Sequence, residues 1–559
     1  MKRSLVMLAA LMLLALPAVA QHTHQHQHEH QHDAADSVQP YIVNGQVFDS
    51  LEAYVQSDYF RDHGMRCQAP QPSQQLVDPV FGSDPSDCSA GSTNPDAVYD
   101  PGLTYQVPVV VHILRASNGT TGEVPDDRIY SQIDILNEDF QAIAGSNGAP
   151  GTYTGVHFVL ADEDAGGAFS DGITRSDNTT WYNDGGSYWN TLSWDTNRYM
   201  NLYVNQASGA LGYVPGFPQN GIAGTAADRV VVLTETFGRN APLSPFNLGR
   251  TGTHEVGHYF GLYHTFQSGC GTAACNATGD LICDTNAESN PYFGCAAPSN
   301  SCGSVDPIDN YMDYSDDACM NKFTEEQMRR MRCTMQNYRP SVYSPIEPDQ
   351  IFLDGWEDGD LAAWDEELTD GGDLAATMAA SQEGDYSMGA TINDLNRLYV
   401  TDNLAQGEDR YRARFYLDPN SFTTDANKRF KIMTLFSNDP DTYRLMTLTL
   451  RYDGSDYWLR AKAHRNPADG TWAKPAWVQL DDDWNLIELD WKRASTAAAS
   501  DGYLRLWINN VPFDEVTLAN GERQANFVRF GVVGGVDANT AGTIYFDGYE
   551  SRESLYIGK

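Results

Sequence analysis

The sequence predicts two folded units, an α/β unit with a mixed sheet and, after it, an all-β sandwich. Residues 105–114, YQVPVVVHIL, form a continuous apolar and β-branched run that predicts a buried strand. Ile129, Ile133, Leu136 and Phe140 recur at helical spacing and predict a helix. The elements expected in the first unit after the initial strand are a helix over residues 126–141, strands over residues 157–160, 201–204 and 229–233, and a helix over residues 247–260.

The second unit begins after the proline-containing stretch Pro340–Pro348, where the composition changes. Short aromatic and β-branched runs now alternate with turn signals, a pattern typical of a sandwich. The opening IFLDGWE at residues 351–357 echoes the closing IYFDGYE at residues 544–550, so we expect the first and last strands to lie side by side. Further predicted strands are residues 410–417, 444–452, 503–508 and 527–533, with turns at Asp453-Gly454 and Asn509-Asn510.

The first residues have the pattern of a secretory signal peptide. Lys2 and Arg3 precede the apolar run Leu5–Leu16, and Ala18-Val19-Ala20 provides a small-x-small cleavage site. The run is shorter than the about 20 apolar residues that cross a bilayer, and no later stretch is long and apolar enough. We therefore expect residues 1–20 to be removed and the protein to be secreted to the extracellular space without a membrane span.

Residues 21–90 are expected to form a pro-region. They open with a His-rich leader, residues 21–33, which cannot form a core and which either collects zinc or is an inert polar tail. Ser50 then caps a short predicted helix, which Cys67 and a polar linker follow. The chain of 559 residues is long enough for two more units, predicted at residues 91–345 and 346–559.

Net charge and cysteine content limit the functional classes. The formal charge of −39 argues against nucleic acid or an anionic membrane as a partner. Seven of the nine cysteines lie between Cys270 and Cys333, which agrees with disulfides in an exported protein. Because the total is odd, at least one cysteine is expected to have another role.

Residues that can bind a metal are concentrated in the motif HEVGHYFGLYH, which begins at His254. His254 and His258 are four residues apart and project from one face of a helix. Gly261 lets the chain leave the helix, so that His264 returns to the same centre. Three imidazoles are a typical ligand set for a catalytic zinc ion that keeps its fourth position for water. Glu255, next to the first ligand, is placed to take a proton from that water as general base.

A second motif, NYMDY at residues 310–314, lies downstream. The extended histidine motif followed by a methionine turn is the signature of the metzincin zinc peptidases, in which Met312 would form an apolar floor under the zinc site. A methionine that stood alone would be ordinary core filler. Together, the two motifs predict a metzincin-type catalytic domain.

Three segments resemble the pappalysin (cytophagalysin) family of metzincins, namely HEVGHYFGLYHTF, GDLICDT and NYMDYSDDACMNKFTEEQMRRM. The resemblance spans roughly residues 100–340 and implies a zinc-dependent endopeptidase that acts on proteins or peptides. It also implies that Tyr314 stabilises the tetrahedral intermediate. It further suggests calcium near GDLICDT, where Asp280, Asp284 and Thr285 would supply oxygen ligands, although a solvated acidic loop is the alternative.

The resemblance implies two disulfides, and the other cysteines of the catalytic half are suitably placed for two more. The pairs are Cys270–Cys302 and Cys295–Cys319 from the resemblance, Cys275–Cys283 from their proximity in the sequence, and Cys88–Cys333, which could close the two ends of the domain.

This accounting leaves Cys67 alone. It follows Arg66, and the family has an Arg-Cys in its pro-region that acts as a cysteine switch, because a thiolate can displace the catalytic water from zinc. Gln68 stands where glycine commonly follows the cysteine, so the match is imperfect.

The acidic residues after the methionine turn predict a preference for basic substrates. Asp313, Asp316 and Asp317 follow Met312 within five residues. By resemblance to the pappalysins, Asp317 lies at the base of the pocket for the side chain just after the scissile bond. A carboxylate in a partly dry pocket is costly unless paired, and a substrate Arg or Lys would supply the partner. We therefore expect cleavage on the N-terminal side of Arg and Lys, the alternative being that these aspartates bind calcium or face solvent.

Two other functional classes remain open. The C-terminal unit loosely resembles concanavalin-like jelly rolls, so the protein could instead be an adhesive or glycan-binding protein whose sandwich binds a polysaccharide or another surface ligand. Trp458, Trp472 and Trp477 could be sugar platforms, although we expect most of them to pack in the core. A hydrolase of non-peptide amides would share the zinc chemistry.

Overall fold

The structure, a computed structural model, describes most of the chain. The described residues are 40–71, 88–93, 96–271, 274–296, 300–347, 349–438, 441–466 and 470–558. The predicted signal peptide and the His-rich leader lie outside them. Within the described ranges, no helix is long and apolar enough to cross a membrane.

The first half contains nine strands and seven α-helices in its described part. They are β1 (Tyr41–Val43), β2 (Gln46–Phe48), α1 (Leu51–Val55), α2 (Asp58–Asp62), β3 (Tyr105–Arg115), α3 (Asp126–Gln141), β4 (Val156–Leu160), β5 (Ile173–Asp177), α4 (Thr179–Tyr182), α5 (Trp189–Leu192), β6 (Met200–Asn205), β7 (Gly212–Tyr213), β8 (Val230–Leu233), α6 (Arg250–Tyr259), α7 (Glu325–Tyr338) and β9 (Ser344–Pro345).

The predicted mixed sheet is confirmed. Its strand order is β4-β3-β6-β8-β7, and β5 and β9 also pair with β3. Strands β3, β4, β5, β6 and β8 are parallel, whereas β7 runs antiparallel to β8 and leaves its other edge free of further strands among the described residues. Nearly every residue of β3 is buried, because both faces of the sheet are covered.

Helices α3 and α6 pack on one face of this sheet. The apolar side chains that predict α3 are buried in one core cluster with Val107, Val109 and Leu202 of the sheet. Helix α6 begins three residues later than predicted, because Gly249 precedes it with a φ of +79°, a conformation that favours glycine.

The predicted pro-region covers the opposite face of the sheet. The single helix expected after Ser50 is divided in two, since Ser50 caps α1 and Ser57 caps α2. Val43, Tyr54 and Phe60 of this segment share a core cluster with side chains of the sheet. Successive side chains of a strand point to opposite faces, and these sheet side chains point away from α6. The segment therefore folds against the sheet and does not trail from it as a loose tail.

The second half is an all-β sandwich, as predicted. Its strands are β10 (Gln350–Asp354), β11 (Glu366–Leu368), β12 (Leu374–Thr377), β13 (Ser387–Ile392), β14 (Leu398–Glu408), β15 (Arg410–Asp418), β16 (Arg429–Ser437), β17 (Tyr443–Tyr452), β18 (Tyr457–His464), β19 (Trp472–Ala473), β20 (Val478–Leu480), β21 (Asn485–Lys492), β22 (Gly502–Ile508), β23 (Val511–Leu518), β24 (Ala525–Gly534) and β25 (Gly542–Arg552). One sheet has the order β12-β13-β25-β15-β21-β22-β23, and β10 pairs with β25. The other has the order β11-β14-β24-β16-β17-β18-β19, and β20 pairs with β18.

The first and last strands of the sandwich are neighbours, as the echo between them predicts, with Leu353 opposite Glu550. The core between the two sheets contains Trp356, Trp364 and Trp491. The expectation that most of Trp458, Trp472 and Trp477 pack in this core is wrong. All three are half-buried and lie outside the core cluster, because the alternation of the strands points Trp458 away from it.

The sandwich docks against β4 and the loop that follows it. Arg412 is fully buried and pairs with Asp162 across this contact. Arg505 donates to Glu163 at 2.8 Å. Val159 of β4 shares a small core cluster with Trp507 and Tyr556 of the sandwich half. Paired charges and this apolar cluster thus join the two halves.

Candidate active site

Helix α6 and the turn after it bring three histidines to one point. Every residue of α6 is buried, including His254 and His258. The chain then reverses at Gly261, whose φ is +88° and where a Cβ would lie within 2.7 Å of two side chains. The reversal returns His264, so that the Nε2 atom of His258 lies 3.1 Å from that of His254 and 3.0 Å from that of His264.

Backbone carbonyls set the tautomers of two of these imidazoles. The Nδ1 atom of His254 lies 2.6 Å from the carbonyl oxygen of Tyr311, and that of His258 lies 2.8 Å from the carbonyl oxygen of Leu262. A carbonyl can only accept, so each Nδ1 carries the proton and each Nε2 presents a lone pair. Burial lowers the pKa of His254, His258 and His264, which keeps the rings neutral.

These three residues fit a zinc ion. Two lone pairs 3.1 Å apart repel each other unless a cation lies between them. Imidazoles bound tetrahedrally at about 2.0–2.1 Å would hold their nitrogens about 3.3 Å apart, close to the separations observed. The neutral rings are also in the form that binds metals.

Cys67 of the predicted pro-region completes the cluster. One ligand atom from each of Cys67, His254, His258 and His264 lies within 4.8 Å of the others, and within the described part of the chain no other group of three or more such residues converges in this way. Cys67 is fully buried and is the free cysteine. Its sulfur therefore lies where a fourth ligand would approach.

Met312 forms the floor beneath α6. A Cβ at Gly257 would lie 2.5 Å from the sulfur of Met312, so only glycine allows the helix to come this close. The turn around Met312 is fixed by Asn310, whose side-chain oxygen accepts from the Met312 backbone nitrogen at 2.9 Å. The same turn supplies the Tyr311 carbonyl that orients His254.

Glu255 lies between the histidines and strand β7. A Cβ at Gly212 would lie 2.7 Å from the Glu255 Cγ, so the strand passes directly over this side chain. The Oε2 atom accepts from the Cys67 thiol at 3.5 Å, while Oε1 has no hydrogen-bond partner among the described residues. Burial raises the pKa of the Glu255 carboxyl to about 8.

Tyr314 closes the other side of the histidine cluster. Its hydroxyl donates to the Cys67 carbonyl oxygen at 2.9 Å. Its ring stands edge-on to His264, with centroids 5.0 Å apart. Both Glu255 and Tyr314 thus form hydrogen bonds with Cys67.

Asp317 forms the base of a buried pocket beside this cluster. Its Oδ1 accepts from the Arg66 guanidinium at 3.2 Å, and both side chains are fully buried. Its Oδ2 accepts from the backbone nitrogens of Leu248 at 2.9 Å and Arg250 at 3.2 Å. Burial raises the pKa of the Asp317 carboxyl, and Arg66 opposes that rise.

The walls of this pocket also contact the guanidinium. Arg66 donates to the Thr251 hydroxyl at 2.6 Å. Its guanidinium carbon lies 4.8 Å from the centroid of the Phe246 ring. Carboxylate, hydroxyl and ring therefore all contact one guanidinium, which comes from the predicted pro-region.

Sequence reasoning proposed roles for Cys67 and Asp317 but did not predict that Arg66 pairs with Asp317. The signal was present, because the residue before the expected switch cysteine is the type that the expected pocket would bind. It also missed Asp139, a buried carboxylate that pairs with Arg250 at 3.0 Å and accepts from Tyr311 at 2.7 Å. Asp139 thus connects α3 to α6 and to the methionine turn. The sequence around a single aspartate on an amphipathic helix does not predict such contacts.

The residues expected to bind calcium make other contacts. Asp280 accepts from the Thr285 hydroxyl at 2.6 Å and from the Ile282 nitrogen at 3.1 Å. Asp284 accepts from the backbone nitrogen of Glu326 at the start of α7. These carboxylates serve as hydrogen-bond acceptors within the loops, and nothing in their contacts supports calcium.

The other two aspartates after the methionine turn differ from Asp317. Asp313 is buried and accepts from Tyr292 and Ser315, so it stabilises the loop. Asp316 is half-buried, and its carboxylate accepts a hydrogen bond from the Gly294 backbone. Only Asp317 of the three binds a guanidinium.

Disulfides surround the site. The structure contains Cys88–Cys333, Cys270–Cys302, Cys275–Cys283 and Cys295–Cys319. Three of them lie in the loops between α6 and α7, which carry the methionine turn and Asp317.

Comparisons with known proteins agree with this geometry. The family model of peptidase M43, described as pregnancy-associated plasma protein-A, matches residues 183–336. An extracellular metalloprotease of Pyricularia oryzae is 34% identical over 287 residues, which cover 50% of this chain and 91% of the relative. An extracellular metalloprotease of Colletotrichum graminicola is 37% identical over 246 residues, covering 42% of this chain and 78% of the relative. Among solved structures, Tannerella forsythia promirolysin is 28% identical, with a TM-score of 0.40, and the match covers 49% of this chain and 96% of that chain.

The relatives that match over most of their own length are metalloproteases. The three histidines that converge in the structure are the metal ligands such an enzyme needs. The catalytic half is therefore a zinc metalloendopeptidase of metzincin type. More specifically, the chain belongs to the peptidase M43 family of pregnancy-associated plasma protein-A, the pappalysin family that the sequence resembles. The relatives cover about half of the chain, so they bear on the catalytic half alone.

Substitutions at His258 and Glu255 should separate metal binding from chemistry. We expect His258→Ala to lose zinc, because it removes one of three converging lone pairs. Glu255→Ala should retain zinc and the fold but lose peptidase activity by about 10²–10⁴-fold, the usual contribution of a general base. Zinc content by atomic absorption and turnover of a denatured protein substrate measure the two effects. A Glu255→Ala enzyme with more than about one tenth of wild-type activity would rule out Glu255 as the base.

Proposed function

We propose that the protein is secreted as a latent precursor and that its mature form, without the part of the predicted pro-region (residues 21–90) that carries Arg66 and Cys67, hydrolyses peptide bonds on the N-terminal side of Arg and Lys. Cys88, near the end of that region, stays with the catalytic half through its disulfide to Cys333. The proposal rests on the contact between Arg66 and Asp317. Arg66 is fully buried there, paired at 3.2 Å and bound by Thr251. A pocket that binds one arginine from its own pro-region has the groups to bind an arginine from a substrate.

The catalytic roles follow from position. His254, His258 and His264 would hold zinc, which supplies a Lewis acid that polarises the scissile carbonyl and lowers the pKa of water. Glu255 takes a proton from the attacking water and returns it to the leaving amine. Its carboxylate is suited to this, because it is next to the ligands and one of its oxygens has no other partner among the described residues.

Tyr314 assists at the oxyanion. Its hydroxyl donates at 2.9 Å to a backbone carbonyl oxygen, that of Cys67, beside the histidine cluster. Once the pro-region leaves, the same hydroxyl is free to donate to the oxygen of a substrate carbonyl, where negative charge develops.

Substrates would bind along the open edge of β7. The pro-region uses this edge in the precursor, since the Leu211 nitrogen donates to the Met65 carbonyl and the Gln68 nitrogen donates to the Gly212 carbonyl, both at 3.1 Å. An extended peptide can add to such an edge by main-chain hydrogen bonds. The edge passes over Glu255, so a peptide bound there would present its backbone to the base.

The direction of the pro-region explains why it is not a substrate. In a substrate, the scissile carbonyl at the metal belongs to the residue before the Arg or Lys that occupies the pocket. In the pro-region, Arg66 occupies the pocket, and the sulfur near the histidines belongs to the next residue, Cys67. The pro-region therefore passes through the site in the reverse direction, in parallel with residues 211–212, and presents a sulfur where a substrate presents its scissile carbonyl.

A change of specificity is expected from Asp317→Asn, which keeps the shape of the side chain and removes its charge. Turnover of a peptide with Arg after the cut should fall at least about 30-fold, the effect of breaking a buried charge pair. Turnover of the same peptide with Leu at that position is the control and should change little. We would measure kcat/KM for both peptides with both enzymes. An equal loss with the two peptides, or cleavage-site profiling of the wild type without enrichment of Arg and Lys after the cut, would contradict the assignment.

Latency should depend on both Cys67 and Arg66. Cys67→Ser and Arg66→Ala precursors are each expected to become active, or to process themselves, earlier than the wild type, because each removes one contact that closes the site. Arg61→Ala is the matched control, since Arg61 lies in the same segment but pairs with Asp58 at the surface. A time course of activity in freshly purified precursor measures the effect. Unchanged latency in both variants would assign the inhibition to other parts of the pro-region.

A further inference from the structure

The outer face of the second sandwich sheet is basic, although the chain as a whole is strongly acidic. In β18, Tyr457, Leu459 and Ala461 point into the core, so the residues between them point outward. The register places Arg451 opposite both Arg429 and Trp458, which brings these side chains to that same outward face. We define the basic face by its cations, which are Arg397, Arg429, Lys431, Arg444, Arg451, Arg460, Lys462 and Arg529.

None of these eight cations pairs with a carboxylate of the described residues within 4.0 Å. This is unexpected in a chain with 75 acidic and only 36 basic residues. The other sheet shows the contrast, because Arg410, Arg412 and Arg414 of β15 are all paired with acids. The cations of β15 are thus neutralised, whereas those of the basic face are not.

The cations of the basic face repel one another. Burial and the nearby charges of Arg429 and Arg444 lower the pKa of Lys462. Burial and the charges of Arg444 and Lys462 lower the pKa of His464 to about 4. Such repulsion reduces the stability of the fold unless an anion relieves it.

Tryptophan rings hold several of these cations in place. The guanidinium carbons of Arg451 and Arg460 lie 4.5 Å and 4.2 Å from the centroid of Trp477. The Lys462 nitrogen lies 4.3 Å from the centroid of Trp472. Cations stacked on rings lose less side-chain freedom when they bind an anion, because their positions are already restricted.

Polar groups beneath the cations are also without partners. The hydroxyls of Thr434 and Thr447 are fully buried, and neither has a hydrogen-bond partner among the described residues. The register places Thr447 between Thr434 and Lys462, so these hydroxyls lie in one row with a cation. A ligand that carries oxygen donors and acceptors as well as anionic groups would suit this row.

We propose that the basic face is a binding site for an acidic polysaccharide, which it holds through carboxylate or sulfate groups. The cations occupy adjacent strands about 4.8 Å apart and repeat about 7 Å apart along a strand, a spacing that fits a single extended chain with repeated charges. The basic face is an open array of regularly spaced cations and not a closed pocket. This site is independent of the catalytic centre, so the accessory half would attach the peptidase to charged polymers that surround its protein substrates.

The same features disfavour nucleic acid. Binding of single strands depends on open aromatic faces on which bases stack. Here Trp472 and Trp477 are already covered by cations. Duplex DNA carries one charge per about 1.7 Å, and the net charge of −39 on the rest of the protein would oppose so dense an anion.

The test uses the full-length protein with polygalacturonate and dextran sulfate as probes and neutral dextran, a DNA duplex and anionic lipid vesicles as comparisons. Titration calorimetry at several salt concentrations gives each Kd. We expect both acidic polysaccharides to bind, more weakly as salt rises, and neutral dextran not to bind. Arg451→Gln with Arg460→Gln should weaken binding about tenfold or more.

A matched control removes two charges from the other sheet. Lys492→Gln with Arg493→Gln should leave the affinity nearly unchanged, because Lys492 ends β21, Arg493 follows it, and both lie outside the basic face. Equal loss in the two double variants would show that only total charge matters and would overturn the site. Absence of binding to either acidic polysaccharide would overturn the proposal, as would tighter binding to DNA or to vesicles. Circular dichroism and peptidase activity of each variant confirm that the protein is folded.

Discussion

A buried ion pair between Arg66 and Asp317 connects every part of the catalytic centre. Asp317 accepts hydrogen bonds from two backbone nitrogens at the start of α6, where a carboxylate is stabilised by the helix dipole. That helix carries His254 and His258. The carboxylate that binds the Arg66 guanidinium is therefore joined directly to the helix that carries two of the three histidines.

The ion pair also explains how the enzyme can be both latent and specific. Two fully buried charges are costly to desolvate, and removing one partner leaves the other uncompensated. On the proposed function, loss of the predicted pro-region would leave Asp317 with its two backbone contacts but without a cation. The mature site would then be prepared for a substrate arginine by the same imbalance that Arg66 relieves. Cys67 would act in parallel at the histidines, next to Arg66 in the sequence.

Local features of the catalytic half could be predicted because they depend on short spacings. The histidines lie within eleven residues, and helix geometry alone brings two of them together. The contact between Arg66 and Asp317 could not be predicted in this way, because it joins residues 251 positions apart. Both residues were visible in the sequence, but only the packing of the pro-region against the sheet shows that they meet. The calcium expectation lacked support for a similar reason, since the loop folds so that Asp280 and Asp284 satisfy different backbone groups.

Net charge alone does not describe the accessory half. The charge of −39 argues against nucleic acid or an anionic membrane as a partner of the chain as a whole, but it does not show that the cations of the basic face lack carboxylate partners. The sequence YWLRAKAH of β18 alternates between buried and half-exposed positions, so Trp458 could have been assigned to the surface from the period alone. Trp472 and Trp477 lie in or beside very short strands, where no period can be read, and only the structure shows that they lie beneath cations.

Asp317 binds Arg66 in the structure, and on the proposed function it binds a substrate arginine in the same way. The most direct measurement is a double-mutant cycle on inhibition of the mature enzyme by a synthetic peptide of residues 58–69. Arg66→Ala in the peptide should raise the inhibition constant about tenfold or more against the wild-type enzyme, and by less than about threefold against the Asp317→Asn enzyme. An equal increase against both enzymes would show that the two side chains do not act on each other and would contradict the account.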